Sequence, residues 1–149
     1  MKSNLIYLVM ALITGALIPV QASTNAAFTK SVGNPFITGL MVFVVGFLGM
    51  VVFVLISGTS MPTTEQVIAA PLYSYLGGII VVSYVIIISI LVPRIGVGNS
   101  IAFIVTGQVL FATIIDHFGL FGVNARSIDL TRIIGLILLI GGVYLVMKK

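Results

Sequence analysis

The chain has 149 residues, 60% of them hydrophobic and 7% charged, with a formal net charge of +4 and a mean hydropathy of +1.31. A soluble domain carries about 25% charged residues, so these proportions exclude a water-facing surface and describe an integral membrane protein. The basic residues are scattered singly, which leaves no footprint for nucleic acid. With no cysteine, one histidine and three acids, no disulfide, metal site, cofactor or catalytic constellation is expected.

Apolar segments predict an all-α fold with five transmembrane helices, over 5–31, 36–56, 67–91, 95–115 and 130–147, in a single transmembrane domain covering 1–149. Each is close to the roughly 20 residues that cross a bilayer. Period-two alternation is missing, which excludes a β-barrel.

The first segment contains GALIPVQASTNAAF at 15–28. Its VQA before Ser23 resembles a signal-peptide cleavage site, but Lys2 is the one basic side chain ahead of the apolar run. A retained helix that continues past Pro19 is therefore expected. Gln21 and Asn25 then fall four apart on one face, with Thr24 beside them, and Pro19 frees a carbonyl one turn earlier. An amide in hydrocarbon is costly, so this pair either bridges helices or meets a substrate.

Asn34-Pro35 supplies a cap and an N1 proline for the second helix. Thr63 and Gln66 form a capping box ahead of the third. The block at 71–78 brings Tyr73 and Tyr75 where an interfacial aromatic belt is expected, with Tyr75 also a candidate substrate contact. Pro93 and Gly96-Val97-Gly98 predict a tight connection to the fourth helix, which carries Gln108 midway. Asp116-His117 at its end reads as a proton relay at the membrane edge or as a structural helix end, with Asp116 paired to Arg126 or Arg132. Gly119 offers a left-handed cap, and Ser127 or Asp129 can cap the fifth helix.

Five spans put the termini on opposite sides. Lys2, Arg126 and Arg132 then lie on one side, and Lys30, Arg94, Lys148 and Lys149 on the other. With the amino terminus added, the balance is near zero and the positive-inside rule selects no orientation. A chain this short also encloses a transport path poorly by itself. Together these predict insertion in both directions and an antiparallel, dual-topology homodimer of ten helices, the geometry of an inverted repeat. Small residues four apart, such as Ala11 with Gly15 and Thr131 with Gly135, suit close helix crossings.

Six stretches carry a resemblance: PVQASTN at 19–25, GNP at 33–35, the Pro71 to Gly77-Gly78 block, VPRIG at 92–96, GQ at 107–108 and IDHFG at 115–119. Through them the chain resembles the YdcZ family of bacterial membrane proteins, in the drug/metabolite transporter superfamily, over nearly its whole length. The family pattern has tryptophans in the Pro71 block, where this chain has Leu72, Tyr73 and Tyr75. The resemblance implies five helices per chain and occurrence as single genes, gene pairs or fusions. It also implies transport across the bacterial inner membrane and favours Gln21, Asn25, Gln108, Asp116 and His117 as functional positions.

The expected function is secondary transport by the antiparallel homodimer, through a site built from Gln21, Asn25 and Gln108 of both copies. No carboxylate lies within the first helix, which disfavours a proton-coupled exporter of hydrophobic cations. A neutral, zwitterionic or amphiphilic small molecule is the expected substrate, with membrane lipid and a second copy as partners and no nucleic acid. The competing expectation is a non-transporting membrane protein that binds lipid or a partner, with a closed, packed interior. No nucleophile–base pair stands at membrane depth, so no enzyme is expected.

Overall fold

A computed structural model describes residues 2–148. It is all-helical among the described residues: α1 (Lys2–Val32), α2 (Pro35–Ser57), α3 (Thr64–Ala69), α4 (Leu76–Ile95), α5 (Val97–Phe118) and α6 (Leu130–Met147), with 3-10 turns at Leu72–Tyr75 and Leu120–Gly122. Five helices are long and apolar enough to span a bilayer: α1, α2, α4 with the 3-10 turn before it, α5 and α6.

The ends of these helices follow local chemistry. The Asn34 side chain accepts from the N–H groups of Phe36 (2.8 Å) and Ile37 (3.3 Å), with Pro35 at N1. Thr63 and Gln66 exchange both bonds of a capping box. Asp129, not Ser127, caps α6, accepting from the Arg132 N–H at 2.8 Å. Gly119 closes α5 at φ 60°, and a Cβ there would lie 3.2 Å from the Val123 carbonyl, so the turn requires glycine.

The third expected helix, over 67–91, needs correction at both ends. A separate short helix stops at Ala69, because Pro71 pushes Ala70 to ψ 136°. The chain then restarts through the 3-10 turn at Leu72 and continues to Ile95, beyond the expected end at 91. Pro93 lies inside α4. The break falls instead at Gly96, with φ 83° and ψ 160°. A proline in a last turn removes only one intrahelical bond, whereas this backbone geometry cannot extend a helix.

α1 runs unbroken through the polar stretch 21–25 with Pro19 inside it. Its 31 residues extend about 46 Å at 1.5 Å per residue, longer than the roughly 30 Å hydrocarbon layer. The helix therefore tilts or carries its Lys30 end into the headgroups.

The chain forms two compact units, Met1–Arg94 and Ile95–Lys149. In the first, α1 and α2 form a hairpin joined by a hydroxyl–hydroxyl bond, Thr29 to Thr38, at 2.8 Å. α4 packs on α2 where Gly39 leaves room: a Cβ at Gly39 would lie 3.3 Å from Ile86 Cγ1. The buried set of this unit is Ala22, Asn25, Thr38, Gly39, Val85, Ile88, Ser89 and Val92, and Asn25, Thr38 and Ser89 among them are polar. Large apolar side chains such as Leu12, Phe53 and Ile56 face outward. This inside-out distribution is expected when lipid covers the apolar surface and small residues bring the backbones together. In the second unit α5 and α6 form a hairpin across the loop 119–129, with Arg126 N–H donating to the Asp116 carbonyl at 2.7 Å.

The Gly39 contact can be tested directly. Gly39→Leu should cost about 1–3 kcal/mol through overpacking against α4, whereas Gly49→Leu, with open space around its Cα, should change little. Thermal unfolding of both variants in detergent measures the difference, and equal midpoints would remove Gly39 from the packing argument.

Candidate functional site

Most serine and threonine hydroxyls in the spans are satisfied within their own helix. Within the helices their hydroxyls donate back to carbonyls of their own helix three or four residues earlier. Thr14 donates to Met10, Ser23 to Pro19, Thr24 to Gln21 and Ser89 to Val85. In α5 Ser100 donates to Gly96, Thr106 to Ala102 and Thr113 to Val109. Such bonds satisfy the hydroxyl without a partner helix. Amide, phenol and guanidinium groups are too long or too rich in donors to be satisfied in this way. The candidate positions therefore reduce to those groups.

Asn25 is 5% exposed, and its Nδ2 is buried without a hydrogen-bond partner. It lines an apolar groove of about 440 Å³ with Thr24, Phe28, Met41, Val42, Val45 and Gly46. Gln21, one turn earlier, is exposed and lines a second groove of about 430 Å³, with Val42, Phe43, Gly46, Phe47, Met50, Val81 and Val85. Val42 and Gly46 border both grooves, so the two amides flank one stretch of α2. The shared face expected of them is divided: Asn25 points to the packed side and Gln21 to the open one.

Tyr84 joins this unit from the middle of α4. Its hydroxyl is buried without a partner. Sequence analysis passed over it among its aliphatic neighbours, although a tyrosine in mid-span, away from either interface, is the signal that could have found it. Tyr75, by contrast, donates its hydroxyl to the Val67 carbonyl at 2.7 Å. That bond ties the 3-10 turn to α3 and leaves the ring free for contacts.

In the second unit Gln108 stands midway along α5, exposed, and its side chain makes no hydrogen bond among the described residues. Asp116 accepts from Arg132 Nη2 at 3.1 Å, the side chains being 39% and 33% exposed. At that exposure the ion pair contributes about 0–1 kcal/mol. His117 Nδ1 accepts from the Ile128 N–H at 3.2 Å, and its ring stands edge-on to Phe118. Both residues thus anchor the loop 119–129 to the end of α5. Among the described residues no group of three His, Asp or Glu could hold a metal ion.

The model of the family described as "Putative inner membrane exporter, YdcZ" matches residues 6–145. No curated protein and no solved structure matches the chain.

Asn25 gives a sharp test of what its burial means. Replacement by the similarly sized leucine removes an unsatisfied buried donor, whose presence costs about 1–3 kcal/mol. Asn25→Leu should therefore unfold at the same temperature as the parent or higher. A loss comparable to a core truncation would show the amide to be a structural bond.

Proposed function

Because the chain belongs to the YdcZ family of inner membrane exporters, we propose that it is a secondary transporter working as an antiparallel homodimer of ten helices. It is a multi-pass protein of the inner membrane, and its family groups it with transporters rather than enzymes. In the proposed assembly, Gln21, Asn25 and Gln108 of both copies build a polar site near the midplane, with Tyr75 at its rim.

The observation that carries this reading is the state of the two glutamines in a single chain. Both lie well inside spans, both are exposed, and neither amide has a hydrogen bond among the described residues. A primary amide without partners in hydrocarbon costs about 2–7 kcal/mol. Lipid tails cannot relieve that cost; protein, water or substrate can. A second copy in the opposite orientation would bring the same amides from the other side and complete an inverted repeat, in which exchange of the two subunits gives alternating access. The near-equal basic charge on the two sides supports insertion both ways. Amides well inside the spans, with Asp116 only near the end of α5, suit a neutral, zwitterionic or amphiphilic substrate.

The absence of cysteine makes topology easy to read. Ser60→Cys, in the loop between α2 and α3, should be modified in about half the copies by an impermeant thiol reagent on sealed cells, and in the rest only after permeabilisation. Complete or absent labelling from outside rules out dual topology. For the site, compounds that raise the unfolding temperature of the parent should lose that effect in Gln21→Leu and Gln108→Leu. Undiminished stabilisation of either variant removes its glutamine from the site.

A further inference from the structure

A second cleft, separate from the amide grooves, lies between α5 and α6. It encloses about 400 Å³ and is lined by Val109, Ala112, Thr113, Asp116, Arg132, Gly135 and Leu136. Its chemistry is graded. Asp116 is two residues before the end of α5 and Arg132 is two residues into α6, about 3 Å inside each helix end at 1.5 Å per residue. That is the level at which headgroups meet hydrocarbon. Val109 lies about two turns deeper on α5 and Leu136 about one turn deeper on α6. The floor between them is open because Ala112 and Gly135 are small; a Cβ on Gly135 would meet nothing within 4 Å.

The polar end is incompletely satisfied. Arg132 uses Nη2 on Asp116, while Nη1 is buried with no acceptor. A charged donor in that state is costly. The Arg132 side chain as a whole is a third exposed, and the residue lines the cleft. Thr113 offers no competing donor, because its hydroxyl is committed to the Val109 carbonyl at 2.8 Å.

We infer that this cleft binds a zwitterionic phospholipid, with a phosphate oxygen on Arg132, the headgroup ammonium on Asp116 and an acyl chain along Val109, Ala112, Gly135 and Leu136. The charges decide the headgroup. One cation beside one anion has no net attraction for an anionic lipid but matches a headgroup carrying both signs. Asp116 accepts hydrogen bonds from a primary ammonium, and a quaternary one has none to give, so ethanolamine is preferred to choline. The site is independent of the transport proposal and stands whether or not the chain carries a substrate.

The test is thermal unfolding of the purified full chain in detergent, with phosphatidylethanolamine, phosphatidylcholine or phosphatidylglycerol added at equal mole fraction. Phosphatidylethanolamine should raise the midpoint by at least about 3 °C, and the other two by less than half as much. Arg132→Gln and Gly135→Leu should each abolish the shift, the second by filling the acyl path while leaving the charge pair intact. Asp116→Asn guards against a folding defect in those two: it should keep a shift but lose the preference for ethanolamine over choline. Equal shifts from all three lipids, an undiminished shift in Arg132→Gln, or full stabilisation by free phosphoethanolamine would each overturn the assignment, the last by making the occupant a soluble zwitterion.

Discussion

Hydrocarbon offers no hydrogen bonds, and this constraint governs every level of the structure. Backbone groups satisfy themselves by forming helices, and the helices end where capping groups or glycine can take over. Hydroxyl side chains solve the same problem locally, by donating to the turn beneath them. Ser83 donates to Ile79, Ser89 to Val85 and Ser100 to Gly96, with no neighbouring helix involved. The chain can therefore hold many serines and threonines inside its spans without any of them marking a site. Amide, phenol and guanidinium groups cannot fold back in this way, among them Gln21, Asn25, Tyr84, Gln108 and Arg132. The proposed transport site draws on Gln21, Asn25 and Gln108, and the lipid cleft on the unpaired Nη1 of Arg132.

The same constraint inverts the packing. In the first unit the interior holds Ala22, Asn25, Thr38, Gly39 and Ser89 beside Val85, Ile88 and Val92, while most leucines, isoleucines and phenylalanines face outward. There is no gain from hiding apolar surface when the solvent is itself apolar, so close approach and polar pairing determine the contacts. The Thr29–Thr38 bond and the Gly39–Ile86 approach are the visible products. Asn25 sits within this arrangement but has no partner for Nδ2, which distinguishes it from the Thr29–Thr38 pair that begins one turn along α1. The pair is complete within one chain and Asn25 is not.

Much of the fold was legible. The caps at Asn34, Thr63 and Asp129 were visible because capping is local chemistry carried by a few adjacent residues. The interruption at Ala70 was missed because apolar composition continues across Pro71, and hydropathy does not register a proline turn. Pro93 and Gly96-Val97-Gly98 together predict the connection to the next span; the break falls at Gly96, and Pro93 lies in a last turn, where its missing N–H matters little. For the site, Gln21, Asn25 and Gln108 stood out as amides in apolar runs, whereas Tyr84 was masked by aliphatic neighbours. Arg132 was seen only as a partner for Asp116. That its second nitrogen lacks an acceptor depends on side-chain geometry that no spacing rule contains.

By itself the sequence determined that this is a membrane protein of five spans, where most helices end, and which polar groups lie at membrane depth. These follow from composition and from interactions between residues a few positions apart. Only the tertiary structure decided that Asn25 is buried while Gln21, one turn away, stays open, and that Arg132 rather than Arg126 pairs with Asp116. It also revealed the cleft that α5 and α6 leave beneath that pair. Those outcomes depend on how one helix lies against another, as where Gly39 meets Ile86, and such an approach appears only once the neighbours are in place.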